Sequence, residues 1–81
     1  MNVTIRYFAM LRETAERGHE VITLSEPNVL ALQLYDDAAA RHGITLDRSI
    51  IRVAINGRYA SWDSPISDGD EVVFIPPVSG G

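Results

Sequence analysis

Cysteine is absent from this 81-residue chain, and so is lysine. The first absence removes disulfides, thiolate metal sites and thiol nucleophiles together. The second leaves no side-chain amine onto which further copies of the chain could be linked, because all seven basic residues are arginines, at 6, 12, 17, 41, 48, 52 and 58. Positive charge is scarce as well. Eleven acidic residues against seven arginines give a net charge of -4, which leaves no basic face for a phosphate backbone, so nucleic acid is not an expected partner. No apolar run approaches the ~18 residues of a membrane span, and no membrane partner is expected. The opening Met1-Asn2-Val3-Thr4-Ile5-Arg6 lacks the basic and apolar regions of a secretion signal, so a cytoplasmic location is the expectation.

There are two histidines, and no motif surrounds either. His42 reads as a residue in the last turn of a helix, where a cation suits the dipole. Without a His and carboxylate constellation, a self-contained active site is not expected. Hydrophobic residues at 46% and charged residues at 22% are ordinary globular values. The length allows one domain with one core, near the size at which about 60% of the unfolded surface is buried.

From the N-terminus, Val3 to Ala9 alternate, with Val3, Ile5 and Tyr7 toward a core and Phe8 on the opposite, open face. Met10 to Arg17 is rich in helix formers and precedes Gly18, which predicts a short helix or helical turn. His19 to Leu24 reads as a second strand, with Ile22 and Leu24 inward and Val21 leaving the register open. Asn28 is the expected N-cap of a longer helix over Val29 to His42 that stops at Gly43. Val29, Leu32, Tyr35 or Asp36, and Ala39 trace one stripe of it; Leu30, Leu34 and Ala38 trace another. Asp36-Asp37 falls on the solvent side, and adjacent helix positions diverge too far to share a metal.

After a loop, Ile50 to Ile55 predicts a third strand with Ile51, Val53 and Ile55 on one side. Asn56-Gly57 is a tight-turn signal that returns the chain as Arg58-Tyr59-Ala60. Asp68-Gly69-Asp70 also reads as a turn, because the longer pattern of a calcium loop is missing; no metal site is expected. Glu71 to Ile75 is the last strand. The order β, β, α, β, short β, β, with one main helix, predicts an α+β fold: a small mixed sheet covered on one face, its first and last strands parallel at the centre. Val72 and Phe74 then point inward, and Val73 and Ile75 join Phe8 in an exposed apolar patch, which marks a partner surface.

Residues 1–75 form the expected domain and 76–81 a tail. Pro76-Pro77 ends the strand, since neither proline can donate to a ladder, and favours an extended course that projects Val78, Ser79, Gly80 and Gly81 outward. By chance, two terminal glycines occur in about one chain in 200 at average usage. An extended Ser-Gly-Gly, without bulky side chains, suits threading into a narrow channel on another protein. The reactive group is then the Gly81 α-carboxyl, ionised at neutral pH and able to attack phosphorus as a nucleophile.

At this point the sequence closely resembles the MoaD family, the small sulfur-carrying subunits of molybdopterin synthase, which are β-grasp, ubiquitin-like proteins. The resemblance spans the whole chain. It rests on Arg6-Tyr7-Phe8-Ala9-Met10-Leu11-Arg12-Glu13, on Val53-Ala54-Ile55-Asn56-Gly57, and above all on the run from Ile66-Ser67-Asp68-Gly69-Asp70-Glu71 through Pro76-Pro77-Val78-Ser79-Gly80-Gly81. One departure is Asp36, where helices of the family continue an apolar stripe; Leu34 and Tyr35 take that place here.

The resemblance implies a β-grasp sheet of about five strands and a carrier chemistry. A MoeB-like adenylyltransferase, using MgATP, would activate the Gly81 carboxylate. A sulfur donor protein would convert it to a thiocarboxylate, the covalent 1-thioglycine of the active form. A MoaE-like large catalytic subunit would then pass the sulfur to a cyclic pyranopterin precursor, building the dithiolene. The domain itself is expected to bind no cofactor. Gly80 and Ser79 would give clearance, Pro76, Pro77 and Val78 would set the reach, and Phe8, Val73 and Ile75 would dock partners. Arg6 and Arg12 are further candidates for contacts with acidic partner groups. Two alternatives stay open: a β-grasp sulfur carrier for thiamine or cysteine synthesis or tRNA thiolation, and a non-covalent β-grasp interaction module.

Overall fold

In a computed structural model describing residues 1–77, Val3, Ile5 and Tyr7 form the inner face of strand β1 (Asn2–Tyr7). There follow α1 (Ala9–Ala15), β2 (His19–Thr23), α2 (Ala31–His42), a 3-10 turn (Arg48–Ile50), β3 (Arg52–Ile55), β4 (Arg58–Ala60) and β5 (Glu71–Ile75). The strands make one sheet in the order β2-β1-β5-β3-β4. β1 and β5 are parallel, with Thr4 to Tyr7 opposite Glu71 to Phe74, and every other pair is antiparallel. This is the expected mixed β-grasp arrangement.

The core lies between the sheet and the two helices. Val3, Ile5, Tyr7, Val53, Val72 and Phe74 meet Leu11 and Ala15 of α1 and Ala31, Leu34, Tyr35 and Ala38 of α2. Burying each large apolar side chain contributes about 1.5–3 kcal/mol, so the two central strands, β1 with Val3, Ile5 and Tyr7 and β5 with Val72 and Phe74, contribute most of the sheet's share. Phe74 also centres an aromatic cluster. Tyr35 meets it edge-on at 5.0 Å, and the Trp62 and Tyr7 rings lie 6.0 and 6.2 Å away.

Several boundaries differ from the sequence expectation, each for a local reason. The main helix begins at Ala31, and Asn28 is not its N-cap; Asn28 adopts a left-handed backbone with φ 62°, which asparagine tolerates. Leu30 holds the cap position without a side-chain acceptor. Its own N–H donates to Gln33 Oε1 at 2.8 Å, while the N–H groups of Ala31 and Leu32 donate to the carbonyls of Ser64 and Trp62 at 2.9 and 3.0 Å. A distant loop therefore satisfies the helix donors that a local side chain was expected to take.

The first helix stops at Ala15, not near Gly18, because Glu16 itself turns left-handed at φ 59°. The third strand starts at Arg52 instead of Ile50, since residues 48–50 close a 3-10 turn. In β2, Val21 points outward and Ile22 pairs with Val3, which sets the open register and puts Ile22 and Leu24 against the core.

Other expectations hold. Leu34 and Tyr35 fill the helix stripe, and Asp36 and Asp37 stand in solvent, bonded by Arg48 at 3.1 Å and Arg41 at 2.8 Å. The Asp-Gly-Asp segment is a turn whose carboxylates serve the backbone: Asp68 accepts from the Asn2 N–H at 2.7 Å and Asp70 from the Ser67 N–H at 2.8 Å. No helix among the described residues is long and apolar enough to cross a membrane.

Candidate functional site

Where β1 gives way to α1, Phe8 keeps an extended backbone (φ -118°, ψ 153°), so the two-residue alternation carries its ring to the side opposite Tyr7. Ala9 then bends the chain sharply, at φ 51°, and the Phe8 carbonyl accepts the Leu11 N–H at 3.1 Å. The same alternation on β5 sends Val73 and Ile75 to Phe8's side of the sheet. The three predicted docking residues therefore share one face. Phe8 is 52% exposed, and Val73 and Ile75 are half-buried.

The strand that carries Ile75 ends at Pro76, which is buried, and Pro77, which is exposed. Beside them runs an open groove of about 540 Å³, bounded by Phe8, Ala9, Met10 and Glu13 on one side and by Ile75, Pro76 and Pro77 on the other. The base of the tail is thus fixed by the central strand of the sheet and flanked by apolar surface. Val78, Ser79, Gly80 and Gly81 lie outside the described residues.

The face around this groove carries charge sparingly. Arg6, directly opposite Val73, pairs with Glu71 at 3.0 Å. Both side chains are nearly half exposed, so that pair contributes little to stability. Arg12 folds toward Gly18, where its Nε lies 3.4 Å from the position a Cβ would take. Both arginines are exposed.

A partly buried polar cluster lies on the other side of the sheet. Glu20, its side chain 8% exposed, accepts from the Tyr7 hydroxyl at 2.9 Å, Arg41 Nη1 at 2.6 Å and bonds His42 Nε2 at 2.6 Å. Burial alone would raise the Glu20 carboxyl, but the hydrogen bonds of Arg41, Tyr7 and His42 outweigh it and hold the group below the usual carboxylate range. Burial and the bond to Glu20 push the Tyr7 hydroxyl up. These groups satisfy one another and tie edge strand β2 to the end of α2; they do not face the groove. Among the described residues lining the groove, Glu13 is the sole titratable one, and no group of three or more His, Cys, Asp or Glu side chains could hold a metal. The groove is mainly apolar surface.

The structure adds residues that the sequence reading did not single out. Met10 and Ile50 are exposed by 37% and 49%, and Tyr59 by 70%. Tyr59 and Arg52 were within reach of the turn chemistry. A two-residue Asn-Gly turn pairs Ile55 with Arg58 and hence Ala54 with Tyr59, on the face opposite Val53.

Comparison with known proteins matches the family model described as the ThiS family over residues 5–81. The molybdopterin synthase sulfur carrier subunit of Escherichia coli (strain K12) is 34% identical over 80 residues, covering 98% of this chain and 99% of that one. Among solved structures, a candidate molybdopterin converting factor subunit 1 from Pyrococcus furiosus superposes with a TM-score of 0.81 at 33% identity, covering 96% of this chain and 99% of that one. A complex of subunits 1 and 2 of the molybdopterin-converting factor from Helicobacter pylori contains a chain with the same fold, at a TM-score of 0.68 and 22% identity, with both chains fully covered. Sequence and fold agree over almost the entire chain, and the protein belongs to the ThiS family.

Proposed function

We propose that this chain is the sulfur-carrier subunit of a molybdopterin synthase, and that its reactive group is the Gly81 α-carboxylate. The observation that carries the reading is the placement of Pro76-Pro77: buried central strand β5 runs straight into them, beside an apolar groove framed by Phe8, Met10 and Ile75. The names of the relatives support it, as does the family match, which extends to residue 81.

A carboxylate resists substitution because its charge is delocalised and oxide is a poor leaving group. Adenylation by a MoeB-like partner with MgATP would join the Gly81 carboxylate oxygen to the α-phosphorus and release pyrophosphate. A sulfide equivalent from a sulfur donor protein would then form the C–S bond and expel AMP, giving the thiocarboxylate. In the large, MoaE-like subunit that sulfur would pass to the cyclic pyranopterin precursor, and water would restore the carboxylate.

Catalytic acids and bases belong to the partners in this scheme. The domain supplies geometry. Phe8, Val73 and Ile75 dock the partner, Pro76, Pro77 and Val78 set the reach, and Ser79 and Gly80 keep the thread narrow. Fully extended, the four residues after Pro77 span at most about 14 Å, so partner and groove must meet closely before Gly81 can arrive.

The test is intact mass after incubation with a cognate adenylyltransferase, MgATP and a sulfur donor. A shift matching replacement of one oxygen by one sulfur is expected, and a chain lacking Gly81 should show none while still docking. Gly81→Ala should be adenylated much more slowly with its fold intact. No mass shift in the full chain while docking persists would replace the carrier reading with a plain interaction module.

A further inference from the structure

The tail base has a second flank. On the side of β3 and β4, Ile50, Arg52 and Tyr59 form a groove of about 250 Å³ against Ile75, Pro76 and Pro77. Arg52 is the register partner of Ile75, and its guanidinium carbon lies 5.7 Å over the Tyr59 ring. Both side chains are exposed. Among the described residues no carboxylate pairs with Arg52, although the chain as a whole carries a net charge of -4. Arg6 on the same face is neutralised by Glu71, and the carboxylate lining the tail base, Glu13, lies on the opposite, Phe8 flank, so Arg52 is the charged group of this second groove.

From this we infer that Arg52, held by Tyr59, reads a carboxylate on the large subunit and so helps select which partner receives the tail. The inference rests on the docking reading above and adds a specificity element to it. Any surface that covers Ile75 and the prolines must also cover Arg52, its neighbour in the sheet. Removing a guanidinium from water without an acceptor is costly, so a fitting partner has to answer it, and a neutral or basic surface at that point is rejected. Stacking on Tyr59 holds the planar group in place, leaving its edge N–H donors free for a forked carboxylate contact that a lysine would not reproduce. The groove on the Phe8 side supplies apolar area; the Arg52 side supplies discrimination.

The experiment measures affinity of the full-length chain for the large catalytic subunit over a range of salt concentrations. Arg52→Leu, an outward substitution that leaves the core untouched, is expected to weaken binding about tenfold or more and to flatten its salt dependence. Arg52→Glu should weaken it further, and Arg52→Lys should recover only part of the loss. Phe8→Glu serves as the control for the docking face and should abolish binding. Unchanged affinity and salt dependence in Arg52→Leu, with binding lost in Phe8→Glu, would overturn the role of Arg52 alone. Full binding in Phe8→Glu would overturn the docking face itself, and this inference with it.

Discussion

Replacing Tyr7 by Phe deletes one hydroxyl from the interior and leaves the ring, so packing is preserved and a single hydrogen bond is tested. Tyr7 is 1% exposed, and its hydroxyl donates to Glu20 Oε2 at 2.9 Å. Hydrogen bonds to a charged acceptor contribute about 1.5–3 kcal/mol. Glu20 retains Arg41 and His42, each at 2.6 Å, so its carboxylate is not orphaned and the lower end applies, about 1.5 kcal/mol. In a domain of this size, that lowers Tm by about 6–12 °C.

The loss should depend on pH in a defined direction. Burial would raise the Glu20 carboxyl, but the hydrogen bonds of Arg41, Tyr7 and His42 depress it overall. A carboxyl depressed in the folded state adds stability that is fully present above its unfolded value of about 4.3 and is lost as pH falls through the folded value. Tyr7→Phe removes one cause of that depression, so the gap between variant and parent should be complete at neutral pH and narrow below about pH 4. Guanidinium titrations at neutral and acidic pH, with unchanged m-values, would measure it. Equal stability at neutral pH, or the same destabilisation at both, would refute the assignment of the cluster as a charge-assisted clamp.

Phe74→Ala removes the centre of the aromatic cluster from a fully buried site and should cost about 3–5 kcal/mol, enough to abolish a cooperative thermal transition in a marginal variant; a loss below about 2 kcal/mol would mean that the core collapses around the gap. Glu16→Gly should raise the denaturation midpoint. A left-handed backbone costs a non-glycine residue about 1–2 kcal/mol, and the extra entropy of glycine offsets about 0.5–1 of that, so a net gain of about 0.5–1 kcal/mol is expected, and a fall would contradict the left-handed geometry at φ 59°.

The alternation of Val3, Ile5 and Tyr7, the Asn-Gly turn and the Val72/Phe74 period sufficed to place the strands and their inward sides, because a two-residue repeat assigns every side chain to a face once one is known. From that repeat alone Phe8, Val73 and Ile75 could be brought to one surface. Helix limits were less legible. Asn28 carries the expected capping residue type, yet the donors at the start of α2 are taken by Gln33, Ser64 and Trp62, the last two 33 and 30 positions from the N–H groups they accept. Local chemistry states what a residue can do, while the loop that competes for the role arrives only with the fold.

The amino-acid order by itself determined which side-chain chemistry is excluded, that of thiols and of lysine amines, and which run follows the last strand, Pro76-Pro77-Val78-Ser79-Gly80-Gly81. Tertiary structure decided where that tail starts and what surrounds it. Arg52 and Ile75 are 23 positions apart, and nothing in their own neighbourhoods links them; antiparallel pairing of β3 with β5 makes them neighbours. The same holds for Glu20 and His42, whose carboxylate and imidazole meet only because β2 and the end of α2 converge beside Tyr7. Periodicity is a property of consecutive residues and can be read along the chain, whereas contact between distant residues depends on how the elements pack, which no single stretch encodes.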